Sequence, residues 1–175
     1  MNRVGKMLWM AGVAAMMILT LAGAQAANNV LKADAVRTLI PVSVFYRGQS
    51  STTQLRNAGG VRFADGYYLL AALVDTGGYS TGIAAHYQAW LASEVALHVG
   101  GRVLAAGTYG IGVLEDGSMV INDIGAHELL RLPTTDDDTL HHPLPLQFTT
   151  DGSGFRLYLG RRWVRIERSS AGRSE

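Results

Sequence analysis

The chain has 175 residues, a formal net charge of +1 at pH 7 and no cysteine. That length suits one domain, the near-neutral balance argues against a general nucleic-acid binder, and the lack of thiols excludes a disulfide scaffold and all cysteine chemistry.

Residues 1–26 read as a Sec-type signal peptide. Arg3 and Lys6 form the basic start, Met7 to Ala24 is almost wholly apolar, and Ala24-Gln25-Ala26 supplies the small-residue cleavage site. Cleavage after Ala26 is expected, because the apolar run is short of the roughly 20 residues of a stable span; an uncleaved anchor is the alternative. No cysteine follows the apolar run, so lipoprotein processing does not apply. Removing the first 26 of 175 residues leaves 149 and takes away two cations, so 13 cations face 14 acids and the mature net charge is −1. The expected product is periplasmic or extracellular, with no membrane span and no nucleic-acid partner.

Residues 27–36 read as an N-terminal arm, frayed or with a short helix, and 37–168 as a single β domain. Leu39–Tyr46 alternates Val42, Val44 and Tyr46 against Ser43 and Phe45, a strand whose start is marked by Pro41. Residues 47–60 are polar and Gly-rich, which predicts a long loop with one short strand at Thr53–Arg56. Val61–Phe63 and Tyr67–Val74 flank Ala64-Asp65-Gly66, a hairpin whose second strand is apolar on both faces and therefore central. Ile83–Leu97 fits either a helix begun at Ser80 or a strand; the β context favours the strand. Val95–Leu104 turns at Gly100-Gly101, and Thr108–Ile121 turns at Asp116-Gly117, the strongest hairpin signal in the chain. Strands follow at Glu128–Leu132, Leu144–Thr149, Phe155–Leu159 and Arg161–Glu167, and 169–175 reads as a disordered tail. About ten short strands with regular turns indicate an all-β, antiparallel β-sandwich or β-barrel.

Leu104-Ala105-Ala106-Gly107-Thr108-Tyr109 resembles the L-x-x-G-x-Y step of many secreted β-sandwich modules, which implies that Gly107 turns into the strand and Tyr109 packs over the sheet edge. Asp75-Thr76-Gly77, after an apolar strand, resembles the Asp-Thr-Gly of aspartic proteases. Those enzymes need two aspartates sharing a proton. The single copy here implies a homodimer.

Two clusters carry candidate chemistry. Arg156, Arg161, Arg162, Arg165 and Arg168 fall within one short stretch, and in an extended strand Arg161, Trp163 and Arg165 share a face. An indole between guanidiniums can stack on a sugar or hold an anionic polymer; an edge strand protected by charge has the same pattern. Arg156, Arg161, Trp163 and Arg165 are the candidate binding residues. Asp136, Asp137, Asp138, His141 and His142 combine carboxylates and imidazoles and are the candidate ligands for a divalent metal; a solvated charged loop without cofactor is the favoured reading of the same residues. His86 or His98 with Asp75 or Asp123 is a third constellation, suited to acid–base work. The preferred function is an exported, non-catalytic module binding a ligand, glycan or protein of the cell envelope. The alternatives are a secreted hydrolase, possibly metal-dependent, and a structural or assembly component.

Overall fold

The computed structural model describes residues 27–169, so the expected signal peptide and tail residues 170–175 lie outside the described residues. Within them the chain is mostly antiparallel β in two sheets, and neither sheet closes into a barrel. The first sheet has eight strands. β1 (Asn29–Lys32) and β2 (Ser43–Tyr46) both pair with β3 (Gln49–Arg62), followed by β4 (Tyr68–Val74) and β5 (Ala89–Ser93). The chain then enters the second sheet with β6 (Leu97–Val99) and β7 (Arg102–Leu104), and returns to the first with β8 (Gly107–Val113), β9 (Ser118–Asn122) and β10 (Glu128–Pro133). β11 (Thr135–Asp136), β12 (Leu146–Asp151), β13 (Gly154–Leu159) and β14 (Arg162–Arg168) complete the second sheet, which has six strands in the order β12-β13-β14-β6-β7 with β11 also on β14.

Period-two alternation sorts the side chains. Leu69 and Ala71 of β4, Leu91 of β5, Ile111 of β8 and Ile121 of β9 face Leu157 of β13 and Val164 and Ile166 of β14, forming the main core. The other face of β4, with Leu70, Ala72 and Val74, lies in a second apolar cluster with Val36, Ile40, Tyr46, Tyr87 and Trp90. An outer layer formed by α1 (Ala33–Val36), β2 and α2 (Thr81–His86) therefore covers part of the first sheet. Room for it comes from β8. A Cβ on Gly110 would stand 2.5 Å from the Tyr87 ring and 2.9 Å from Tyr46, and one on Gly112 would overlap the Ala85 carbonyl oxygen. Tyr87 and α2 thus rest directly on β8 backbone. Tyr109, on the core-facing side, folds back so that its hydroxyl donates to the Ala105 carbonyl at 2.9 Å, and its ring fills the place a side chain at Gly107 would take.

Several sequence expectations change. Fourteen strands replace about ten among the described residues. The arm at 27–36 is a strand paired to β3 followed by the single turn of α1. The loop expected at 47–60 is most of β3, where a bulge between Gln54 and Ala58 interrupts the pairing. Gly60 belongs there because a Cβ would come 2.5 Å from the Leu69 carbonyl oxygen of the neighbouring strand. Its strand character is imposed by partners on both sides, since Gln, Ser, Asn and Gly have little β preference of their own. The strand favoured for 83–97 is α2 and then β5; Tyr87 N–H closes the helix on the Ile83 carbonyl at 3.0 Å. Ser169, placed in the tail, is buried and donates its N–H to the Ala96 carbonyl at 2.9 Å. β14 is not an edge strand: β13 pairs along one side, β6 and β11 along the other. Its arginines therefore do not serve as edge protection.

Candidate functional site

The turn Gly160-Arg161 sets the register of β13 and β14, pairing Leu159 with Arg162. Phe155, Leu157, Val164 and Ile166 point into the core, so Arg156, Tyr158, Trp163 and Arg165 fall on the outer face of the second sheet, with Arg156 opposite Arg165 and Tyr158 opposite Trp163. The Arg156 guanidinium lies 4.2 Å from the Trp163 ring centroid, and Tyr158 stands 6.2 Å from the same ring at an interplanar angle of 38°. Two arginines opposite each other would repel. Asp151, at the end of β12, offsets this by accepting from Arg156 at 3.3 Å and from Arg165 at 2.5 Å, and Glu167 accepts from Arg165 at 2.8 Å. The Arg156 hydrogen bond, followed by the charges of Arg156 and Arg165, holds the Asp151 carboxyl below its ordinary range.

The acidic segment joins the same face. Pairing of β11 with β14 brings Asp137 over Tyr158, whose hydroxyl donates to it at 2.9 Å, while the Thr139 hydroxyl donates to its other oxygen at 2.5 Å. These bonds, Thr139 first, lower the Asp137 pKa. Arg161 donates to the Asp137 carbonyl at 3.2 Å, and Arg162 pairs with Asp136 at 3.6 Å. The two clusters that the sequence kept apart thus meet through Asp137, which shares a neighbourhood with Arg156, Arg161, Trp163 and Arg165, while Asp136 pairs with Arg162 on the other side of β14, next to Thr134 and Gly117. Asp138, His141 and His142 stay exposed, and no three His, Asp or Glu side chains among the described residues converge as metal ligands. Tyr158 and Asp151 were missed by the sequence reading; the alternation of Phe155, Leu157 and Leu159 was the signal that put Tyr158 on the outer face.

The acid–base constellation is assembled differently from the expected one. Asp123 accepts from His127 Nδ1 at 2.9 Å, and His86 donates from Nδ1 to the Gly82 carbonyl at 2.8 Å. Among the described residues no serine or threonine hydroxyl hydrogen-bonds either imidazole. Asp75 accepts the Gly77 N–H at 3.0 Å, closing its own turn. On β6, His98 stands opposite Glu167 and Val103.

A cleft of about 330 Å³ opens on the covered side of the first sheet, lined by Tyr46, Arg47, Ser80, Ile83, His86 and Ala126. No helix among the described residues is long and apolar enough to cross a membrane. The chain matches no protein-family model, no curated protein and no solved structure.

Proposed function

We propose that this chain is an exported, non-catalytic β-sandwich module that binds a glycan of the cell envelope through the outer face of its second sheet. The observation that carries the reading is the half-buried indole of Trp163 on a central strand, with the Arg156 guanidinium over its ring and Tyr158 beside it. An aromatic plane fixed on regular structure, with guanidinium donors and carboxylate acceptors beside it, suits a ligand that is both flat-faced and rich in hydroxyls. The site is built on paired strands rather than loops, so ordering it on binding costs little conformational entropy. Export rests on the basic, apolar and Ala-x-Ala pattern of residues 1–26.

Intrinsic fluorescence tests the reading. After removal of residues 1–26 two tryptophans remain, Trp90 in the second apolar cluster and Trp163 on the outer face. Soluble envelope-glycan fragments should quench or shift the Trp163 emission in Trp90→Phe protein, and leave the emission of Trp163→Phe protein unchanged. Saturable binding of those fragments with no change at Trp163 would sink the proposal.

A further inference from the structure

We propose that the cleft between the β2–β3 turn, α2 and the turn at 123–127 is a second binding site, which takes a small ligand carrying an oxyanion, a carboxylate or a phosphate, with Arg47 as the charge partner and Tyr46 and Ser80 as hydroxyl donors. This site lies on the first sheet and does not rest on the glycan reading.

The cation at the cleft is open. Arg47 forms no side-chain hydrogen bond and no ion pair among the described residues, and the nearby acids are engaged elsewhere. Asp123, whose charge reaches Tyr46, accepts the N–H groups of Gly125 and His127 and the His127 ring. Glu128, whose charge reaches His86, holds Arg131 through two bonds. Tyr46 is 1% exposed, yet its hydroxyl has no hydrogen-bond partner among the described residues. Burial is the largest influence on that phenol and raises its pKa, so it remains a donor. Because His86 Nδ1 already donates to Gly82, the neutral ring offers Nε2 as an acceptor, which fits a ligand with a hydroxyl next to the oxyanion.

Backbone conformation supports the same place. Arg47 (φ 47°) and Ala126 (φ 69°) are the non-glycine residues with positive φ among the described residues, and both line this cleft. Arg47-Gly48 is a two-residue hairpin loop with both φ values positive, a turn for which Asn or Gly is preferred at the first position. A long cationic side chain sits there against the local preference, and strain of this kind gathers at functional sites.

The test uses the protein as isolated from its producing cells, titrated with inorganic phosphate and separately with lactate, and read by calorimetry and by NMR shifts of the His86 ring. At least one of the two should bind wild type, and which one distinguishes a phosphate from a carboxylate ligand. Arg47→Gly should weaken that binding about tenfold or more, as expected for a charge-assisted hydrogen bond, while the unliganded variant melts no lower than wild type because the turn relaxes. Tyr46→Phe and Ser80→Ala should each weaken binding, and Trp163→Ala should leave it unchanged. Absence of binding by both anions, equal binding by Arg47→Gly, or a lower melting temperature for that variant would each overturn the proposal.

Discussion

Gly110→Ala probes the outer layer where it rests on β8. The new methyl would sit 2.5 Å and 3.0 Å from two carbons of the Tyr87 ring and 2.9 Å from the Tyr46 ring, against about 3.5–4.0 Å for a relaxed carbon contact. The rings cannot swing aside freely: they stack on each other at 3.9 Å and both are about 1% exposed. Overpacking of this kind costs about 1–3 kcal/mol. The 2.5 Å approach puts this site in the upper part of that range, about 2–3 kcal/mol, and the lower chain entropy of alanine in the unfolded state returns up to about 1 kcal/mol, so the net loss is about 1–2 kcal/mol. For a chain of this size that lowers Tm by about 2–8 °C. Gly82→Ala is the control: it lies in α2 with nothing within 4 Å of the added atom, and should raise stability by up to about 1 kcal/mol. Thermal unfolding followed by circular dichroism reads both. A Gly110→Ala protein that melts at or above the wild-type temperature would refute the claim that bare β8 backbone seats the tyrosines.

Three further outcomes follow from packing and charge. The Tyr87 hydroxyl is buried without a partner, so Tyr87→Phe should leave stability unchanged or raise it by about 1 kcal/mol in urea denaturation; a clear loss would mean the hydroxyl is satisfied. Leu157, 1% exposed in the main core, should cost about 2–5 kcal/mol when cut to alanine, measured the same way; a loss below that range would mean the inter-sheet core is looser than described. Asp151 has its folded pKa held down by Arg156 and Arg165, so its stabilisation is present above the unfolded value of about 3.9 and is lost as pH falls through the lower folded value. Asp151→Asn should therefore be less stable than wild type at pH 7 and lose less on going to pH 3; an identical acid profile in the two proteins would show that the arginine pairs do not hold the sheet face.

Hairpins were legible wherever the turn itself was encoded. Asp116-Gly117 and Gly100-Gly101 announce their positive-φ residues in sequence, and β8–β9 and β6–β7 lie where those turns put them. Apolar alternation also told inside from outside in β13 and β14. Elements whose conformation depends on remote partners were not legible. β3 is polar and Gly-rich and becomes a strand because β1, β2 and β4 pair with it. α2 and the following strand share an apolar pattern that fits either period, and the space that admits a helix is made by Gly110 and Gly112, more than 20 residues further on. The candidate face was readable as composition, but its geometry depends on Asp137 reaching Tyr158 and on Asp151 closing the arginine pair. Those are long-range contacts that no local pattern contains. The Arg47 cleft had one local sign, an Arg-Gly step between two alternating stretches at 44–46 and 49–53.

The most direct measurement is co-sedimentation of the processed protein with insoluble envelope glycan from its producing cells, comparing wild type with Trp163→Ala after confirming that both are folded. Wild type should pellet with the glycan, and the variant should need about ten times more glycan for the same retention, as expected when an aromatic platform worth about 1.4 kcal/mol is removed. Equal retention of the two proteins, or failure of wild type to pellet, would contradict a glycan site on the outer face of the second sheet.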